Sequence, residues 1–176
     1  FHGFTHVPYL KRYRYLMRMD DDSCILNPIQ FDIFQRMQQQ NYTYAYKQIF
    51  RDPEWAVKGL NDFAEDYMNS HKLQWKNPQL RALVKSIKEN LYSFSTNFEV
   101  LDMKAYRSKE NMKFVHHMIE SNKIYHRRWG DAPIRFLQIQ MFYSNAEVLK
   151  ICEFGYQHSI WAPSPICVNT SKEWTF

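Results

Sequence analysis

A chain of 176 residues is long enough to bury a substantial core and too short for two domains of ordinary size, so one domain over 1–176 is expected. Its 23 basic and 18 acidic residues leave a net charge of +5, which would suit nucleic acid, an anionic membrane face or a phosphorylated small molecule, but the basic residues are scattered, which excludes a polycation tract. No apolar run approaches the roughly 20 residues of a membrane span, and Cys24, Cys152 and Cys167 form no Cys-x-x-Cys pair, which excludes a zinc ribbon and a dithiol redox motif.

From the N-terminus, Tyr9 to Met19 alternates loosely between aromatic or aliphatic and basic residues, the pattern of a half-buried strand, and runs straight into Asp20, Asp21 and Asp22. Phe31, Phe34 and Met37 have helical spacing and predict a helix over 31–40 that stops at Asn41. Tyr42 to Ile49 reads as a strand. Pro53 opens a helix whose apolar stripe, Trp55, Val57, Leu60, Phe63, Ala64 and Tyr67, continues through Met68. A second helix is predicted over 80–91, and a strand around Phe98 to Met103. Further helices are predicted over 109–121 and over 132–143, the latter with Asp131 as its N-cap. A strand over 148–156 closes the pattern before Pro163 and Pro165 mark an irregular tail. Strands interleaved with helices define an α/β chain.

Three stretches carry chemistry. Consecutive aspartates raise one another's pKa unless a cation offsets the repulsion. Asp20 and Asp22, two apart on an extended segment, point to one side and suit magnesium or manganese bridging a diphosphate; a solvated acidic turn, phosphoaspartate chemistry and a metal nuclease site fit the same residues. Glu99 shares a strand face with Leu101 and Met103, so it is either paired, for instance with Arg107, or used in catalysis. The segment Tyr125-His126-Arg127-Arg128-Trp129-Gly130-Asp131-Ala132-Pro133-Ile134 is dense in special residues. Its arginines before a helix start could gather an anion, or its indole could hold a sugar ring. His158 is a lone imidazole after Gly155-Tyr156-Gln157, more often packed than a ligand, and His116 and His117 have no partner at metal spacing. Twelve tyrosines, thirteen phenylalanines and five tryptophans suit core packing or ring-stacking platforms. Asn41-Tyr42-Thr43 and Asn169-Thr170-Ser171 match the N-glycosylation acceptor pattern.

The succession Arg18-Met19-Asp20-Asp21-Asp22, Thr96-Asn97-Phe98-Glu99-Val100, Arg128-Trp129-Gly130-Asp131-Ala132-Pro133 and Gly155-Tyr156-Gln157-His158 resembles the fungal-type Golgi α-1,2-mannosyltransferases, glycosyltransferase family fifteen. The resemblance implies a GT-A type α/β fold, a mixed sheet flanked by helices, with its N-terminal nucleotide-binding part truncated here because only nineteen residues precede Asp20. It also implies GDP-mannose as donor, manganese (Mn2+) as cofactor and retention of anomeric configuration. By motif, Arg18, Asp20, Asp21 and Asp22 fall on the donor side. Asp20, Asp22 and His158 fall on the metal. Glu99 becomes nucleophile or charge stabiliser beside the anomeric carbon, and Asp131 binds or deprotonates the acceptor hydroxyl, with Tyr125, Arg128 and Trp129 around the acceptor. The implied partners are a nucleotide sugar and a mannosylated glycan rather than nucleic acid. The implied location is the Golgi lumen, as a type II membrane protein whose anchor precedes this chain. Two departures stand out: Asp20-Asp21-Asp22 replaces the family's usual Glu-Pro-Asp triplet, and Gln157 stands where a histidine is familiar. An inactive carbohydrate-binding relative is the alternative reading of the same residues.

Overall fold

A computed structural model describes residues 3–78, 81, 91–161, 163 and 166. The site is carried by a four-stranded mixed sheet in the order β1 (Tyr15–Met19), β6 (Phe98–Asp102), β3 (Tyr44–Tyr46), β7 (Val148–Lys150). Strand β6 is antiparallel to both neighbours, and β3 runs parallel to β7. Two short ribbons flank this sheet: β2 (Ser23–Ile25) with β8 (Tyr156–His158), and β4 (Ile49–Arg51) with β5 (Tyr92–Phe94).

The two-residue period of β6 divides the core. Phe98 and Val100 face one side with Ala45 and Leu149, and pack against Ile33 and Met37 of helix α2 (Ile33–Gln39) and against Phe154 and Tyr156. On the other side Leu101 packs with Tyr44 and Tyr46 against α4 (Leu60–Ser70), α6 (Lys109–Glu120) and α8 (Asp131–Phe142). The sheet is thus buried between helical layers, as an α/β domain requires. Glu99 lies opposite Arg18 on β1 and Tyr46 on β3, which turns its carboxylate toward α8.

Several predicted boundaries shift for identifiable reasons. After α1 (Gly3–His6), the first part of the expected 9–19 strand is a 3-10 turn, Pro8–Arg12, with Pro8 at its start and Arg12 stacked over the Tyr9 ring at 3.9 Å. Helix α2 begins later than Phe31 because Asp32 is its N-cap, accepting from Gln35 N at 3.0 Å; Asn41 beyond its end takes φ 56. The long helix expected from Pro53 divides into α3 (Glu54–Val57) and α4 at Gly59, whose φ of 76 suits a residue without Cβ. The strand expected to reach Met103 ends at Asp102, whose Oδ1 accepts from Lys104 N and Ala105 N and opens α5 (Met103–Tyr106). A short helix unforeseen in the sequence, α7 (Lys123–Arg127), precedes α8. The strands expected over 42–49 and 148–156 each divide in two. Apart from Arg81 and Leu91, the helix expected over 80–91 lies outside the described residues.

Candidate active site

Strand β1 delivers Arg18 to the edge of the sheet, and the chain then turns through Asp20, Asp21 and Asp22 into β2. The turn is fixed by main-chain bonds: Asp20 N donates to Asn97 O at 3.0 Å, and Ser23 N to Asp20 O at 3.2 Å. Pairing of Ser23 with His158 across the β2–β8 ribbon brings the far end of the chain alongside, and Ser159 N closes onto Asp22 O at 2.9 Å. Tyr156 locks this junction, its hydroxyl donating to Asn97 O at 3.0 Å and sharing a bond with Ser23 Oγ at 2.6 Å.

His158 Nε2 consequently stands 3.0 Å from Asp22 Oδ1 and 3.8 Å from Asp20 Oδ2. Asp22 and Asp21 are exposed and Asp20 is half-buried. Among the described residues, no group of three or more His, Cys, Asp or Glu side chains forms a ready-made metal cage. The donor set is nevertheless two carboxylates and one imidazole nitrogen on a solvent-facing turn. Those residues would suit a divalent cation such as manganese, which would supply positive charge beside a diphosphate.

Arg18 links this acidic turn to α8. Its Nε lies 3.1 Å from Asp20 Oδ1, and its Nη1 hydrogen-bonds Asp131 Oδ2. Thr96 Oγ1 donates to the same Asp131 oxygen at 3.1 Å. Asp131 is therefore not the N-cap expected of it. Gly130 holds the cap position without a side-chain bond, and Asp131 is the first helical residue, drawn away from the helix end by Arg18. Burial pushes the Asp131 carboxyl up, but the hydrogen bond and charge of Arg18, with Thr96 and Arg135, overcome this and hold it below the usual carboxylate range. Burial likewise works against the charged Arg18, and Asp131 and Asp20 more than restore it.

Behind this surface Glu99 is fully buried. Both its oxygens are taken by Arg135 of α8, Nε to Oε2 at 2.9 Å and Nη2 to Oε1 at 3.4 Å. The pairing weighed from sequence is thus real but made with Arg135; Arg107 instead donates to Leu10 O at 3.0 Å. In this arrangement Glu99 presents no face to a ligand. The bond continues from Arg135 to Gln138, and from Gln138 Nε2 to Asn111 Oδ1 at 2.9 Å, a buried polar chain beneath the site.

The expected acceptor residues divide. Trp129 is 5% exposed, packs on Phe63 at 5.4 Å between ring centroids and donates its indole N–H to Lys58 O at 3.1 Å, so its ring serves the core. Tyr125 and Arg128 are exposed, Arg128 in a left-handed conformation at φ 57 that ends α7.

Sequence reading missed Thr96, Arg135 and Asp52. Arg135 could have been found, since a lone arginine among Ile134, Phe136, Leu137 and Ile139 requires a partner and Glu99 is the matching lone carboxylate. Asp52 leaves no such trace. It accepts a hydrogen bond from Ser93 Oγ, and its carboxyl is raised by burial and, more weakly, by the nearby charge of Asp131. A cavity of about 400 Å³ bounded by Met68, Leu73, Ala105, Met141 and Tyr143 involves none of these residues. The charged side chains converge instead on the acidic turn.

Sheet order, helical layers and an acidic turn at the sheet edge define a GT-A-like glycosyltransferase fold. The X-ray structure of the mannosyltransferase Ktr4p from Saccharomyces cerevisiae in complex with GDP superposes with a TM-score of 0.80 at 26% identity, covering 96% of this chain and 45% of that one. Core-mannan synthase A from Aspergillus fumigatus in its Mn/GDP form shares the fold, with a TM-score of 0.80 at 22% identity over 98% of this chain and 50% of that one. The chain belongs to the glycolipid 2-alpha-mannosyltransferase family, whose sequence profile matches residues 2–174. The probable mannosyltransferase KTR4 of Saccharomyces cerevisiae is 27% identical over 93% of this chain, and glycolipid 2-alpha-mannosyltransferase 1 of Candida albicans 24% over 96%. The chain spans 38% and 40% of the length of these two relatives.

Proposed function

We propose that this chain carries the catalytic centre of a retaining α-1,2-mannosyltransferase that moves mannose from GDP-mannose to a mannose residue of a glycoprotein or glycolipid. The observation that carries the reading is the meeting of Asp20, Asp22 and His158, drawn from opposite ends of the chain, beside the Arg18–Asp131 pair. Asp20, Asp22 and His158 would hold manganese, which when bound neutralises the negative charge that develops on departing GDP. The protein's own residues do the rest. Asp131 stays ionised and accepts a hydrogen bond from the incoming hydroxyl; its depressed pKa makes it a weak base, so it orients the acceptor rather than removing the proton. Arg18 fixes Asp131 and Asp20 relative to one another. Glu99, buried with both oxygens held by Arg135, is a positioning residue beneath the site rather than a nucleophile, which favours same-face attack.

A Golgi lumenal location, with a membrane anchor outside this chain, completes the proposal. It accords with the two glycosylation sequons and with a disulfide-bonded Cys152, both expected of a secretory compartment. The test is calorimetric titration of GDP into the complete protein. Binding is expected to require manganese and to weaken by roughly tenfold or more in Asp22→Asn and His158→Ala. Affinity indifferent to chelator and to both substitutions would remove the metal site and the transfer reaction with it.

A further inference from the structure

The segments that build the acidic centre meet at one buried hydroxyl. Tyr156 is fully buried on β8, two residues before His158, with its ring edge-on to Phe98 at 5.5 Å between centroids. Its Oη lies 3.0 Å from Asn97 O, 3.1 Å from Asn97 Oδ1 and 2.6 Å from Ser23 Oγ. A phenol carries a single hydrogen. With that hydrogen directed at Asn97, Ser23 is the donor to Tyr156. The same Asn97 O also accepts from Asp20 N at 3.0 Å. Ser23, Tyr156, Asn97 and Asp20 therefore form one hydrogen-bonded run that joins both ends of the aspartate turn to the strand of His158. Asn97 in turn follows Thr96, whose Oγ1 donates to Asp131, so the acceptor side is referenced to the same point. Without this run little holds His158 in place. The β2–β8 ribbon has only three residue pairs, with His158 on the outermost, and a ribbon of two short strands is marginal by itself.

We infer that Tyr156 is a positioning residue whose hydroxyl holds His158 against the Asp20–Asp22 turn and thereby sets how tightly the centre takes a divalent cation. Buried as it is, the hydroxyl acts through Asn97 and Ser23 rather than on any ligand. Side chains already fixed in their bound arrangement lose less freedom when the ion arrives, so the restraint appears as affinity. The inference rests on the metal centre of the transferase reading and adds to it the residue that keeps that centre assembled when empty. Tyr156→Phe deletes the oxygen and keeps the ring. Asn97 O retains its bond from Asp20 N, and the half-buried Ser23 hydroxyl is free to turn to water, so the fold loses little.

The test is calorimetric titration of GDP into the complete protein across a series of manganese concentrations, with melting temperatures of the same samples. Tyr156→Phe is expected to raise the manganese concentration that half-saturates GDP binding roughly tenfold, with wild-type GDP affinity restored at saturating manganese. Its melting temperature is expected to fall by only about 2–4 °C. Tyr143→Phe is the matched control, since it removes a hydroxyl that donates to Ala105 O at 2.9 Å on the other side of the sheet. It is expected to lower the melting temperature to a similar extent and leave the manganese dependence unchanged. Ser23→Ala takes away the donor to the same Tyr156 oxygen and is expected to shift the manganese dependence in the same direction by about two- to fivefold; it decides the matter should Tyr156→Phe not fold. Wild-type manganese dependence in Tyr156→Phe, or in Ser23→Ala where that variant decides, overturns the inference, as does an equal shift in Tyr143→Phe, which would mark general loosening. The two readings fail differently. Manganese-dependent GDP binding that these variants leave untouched removes only the role of Tyr156, whereas wild-type GDP binding indifferent to manganese removes the metal centre itself.

Discussion

Arg135 is buried along a helix that is apolar on nearly every side, and its charge is tolerable there because Glu99 lies opposite on β6. Burial works against the guanidinium, and Glu99 reverses that effect so far that Arg135 holds its proton more tightly than a free arginine. The Tyr106 ring, 4.4 Å from the guanidinium carbon, covers one face of it. Removing one member of such a pair leaves an uncompensated charge in the core, which costs more than the pair itself contributes. Glu99→Gln and Arg135→Met are each expected to lower unfolding free energy by about 3–5 kcal/mol in urea denaturation. Glu99→Leu combined with Arg135→Met is expected to recover much of that loss. Additive losses in the double variant would show that the two side chains act independently. Asp131 and Arg18 at the surface form the counterpart of this pair, where solvent screening leaves less energy and the orientation of Asp131 is the main effect.

Among elements, the connection between β7 and β8 decides where His158 lies. Lys47, buried just past the end of β3, donates to Ile151 O at 3.0 Å and also to Phe154 O, and so ties that connection to the sheet. Burial pushes its amine down to about 8, against the pull of Glu153. Since the unfolded chain keeps a proton on this lysine to higher pH than the folded one, stability is expected to rise between about pH 8 and the ordinary lysine value of 10.5. The neutral amine retains two N–H donors for its two carbonyls, so the bonds survive the titration. In Lys47→Met that rise should vanish, and the two orphaned carbonyls should lower stability by about 1–3 kcal/mol; thermal melts of both proteins at pH 7, 8.5 and 10 check this. A lysine buried for such a purpose gives no sign in a local pattern. The same is true of most boundaries that moved. Helix α6 was legible because its apolar stripe and Ser108 cap are local, whereas the breaks after Tyr46 and Lys150 follow from contacts between segments far apart in the chain.

At the scale of the whole molecule, the identities of Asp20, Asp22, Asp131 and His158 could be read from the sequence through their motifs. Their meeting followed only from the family resemblance and not from any local pattern, because His158 reaches the aspartates through a β2–β8 pairing between the two ends of the chain. The same long-range folding changes the meaning of the +5 net charge. Arg14 pairs with Asp102, Arg18 with Asp20 and Asp131, Arg36 with Glu153, Arg81 with Glu65 and Arg135 with Glu99. Each such pair offsets a cation with a carboxylate, and among the described residues the remaining lysines and arginines fall on several different elements. Phosphate-backbone binding needs several free cations in register, and its affinity falls steeply as salt displaces the released counterions. A duplex oligonucleotide is therefore expected to bind no more tightly than about 0.1 mM near physiological salt, the weak end of non-specific association. Fluorescence anisotropy of a labelled duplex across a salt series measures this directly. Micromolar affinity with a steep salt slope would show that the remaining cations form a continuous surface, and would count against a site built around one nucleotide diphosphate and one sugar.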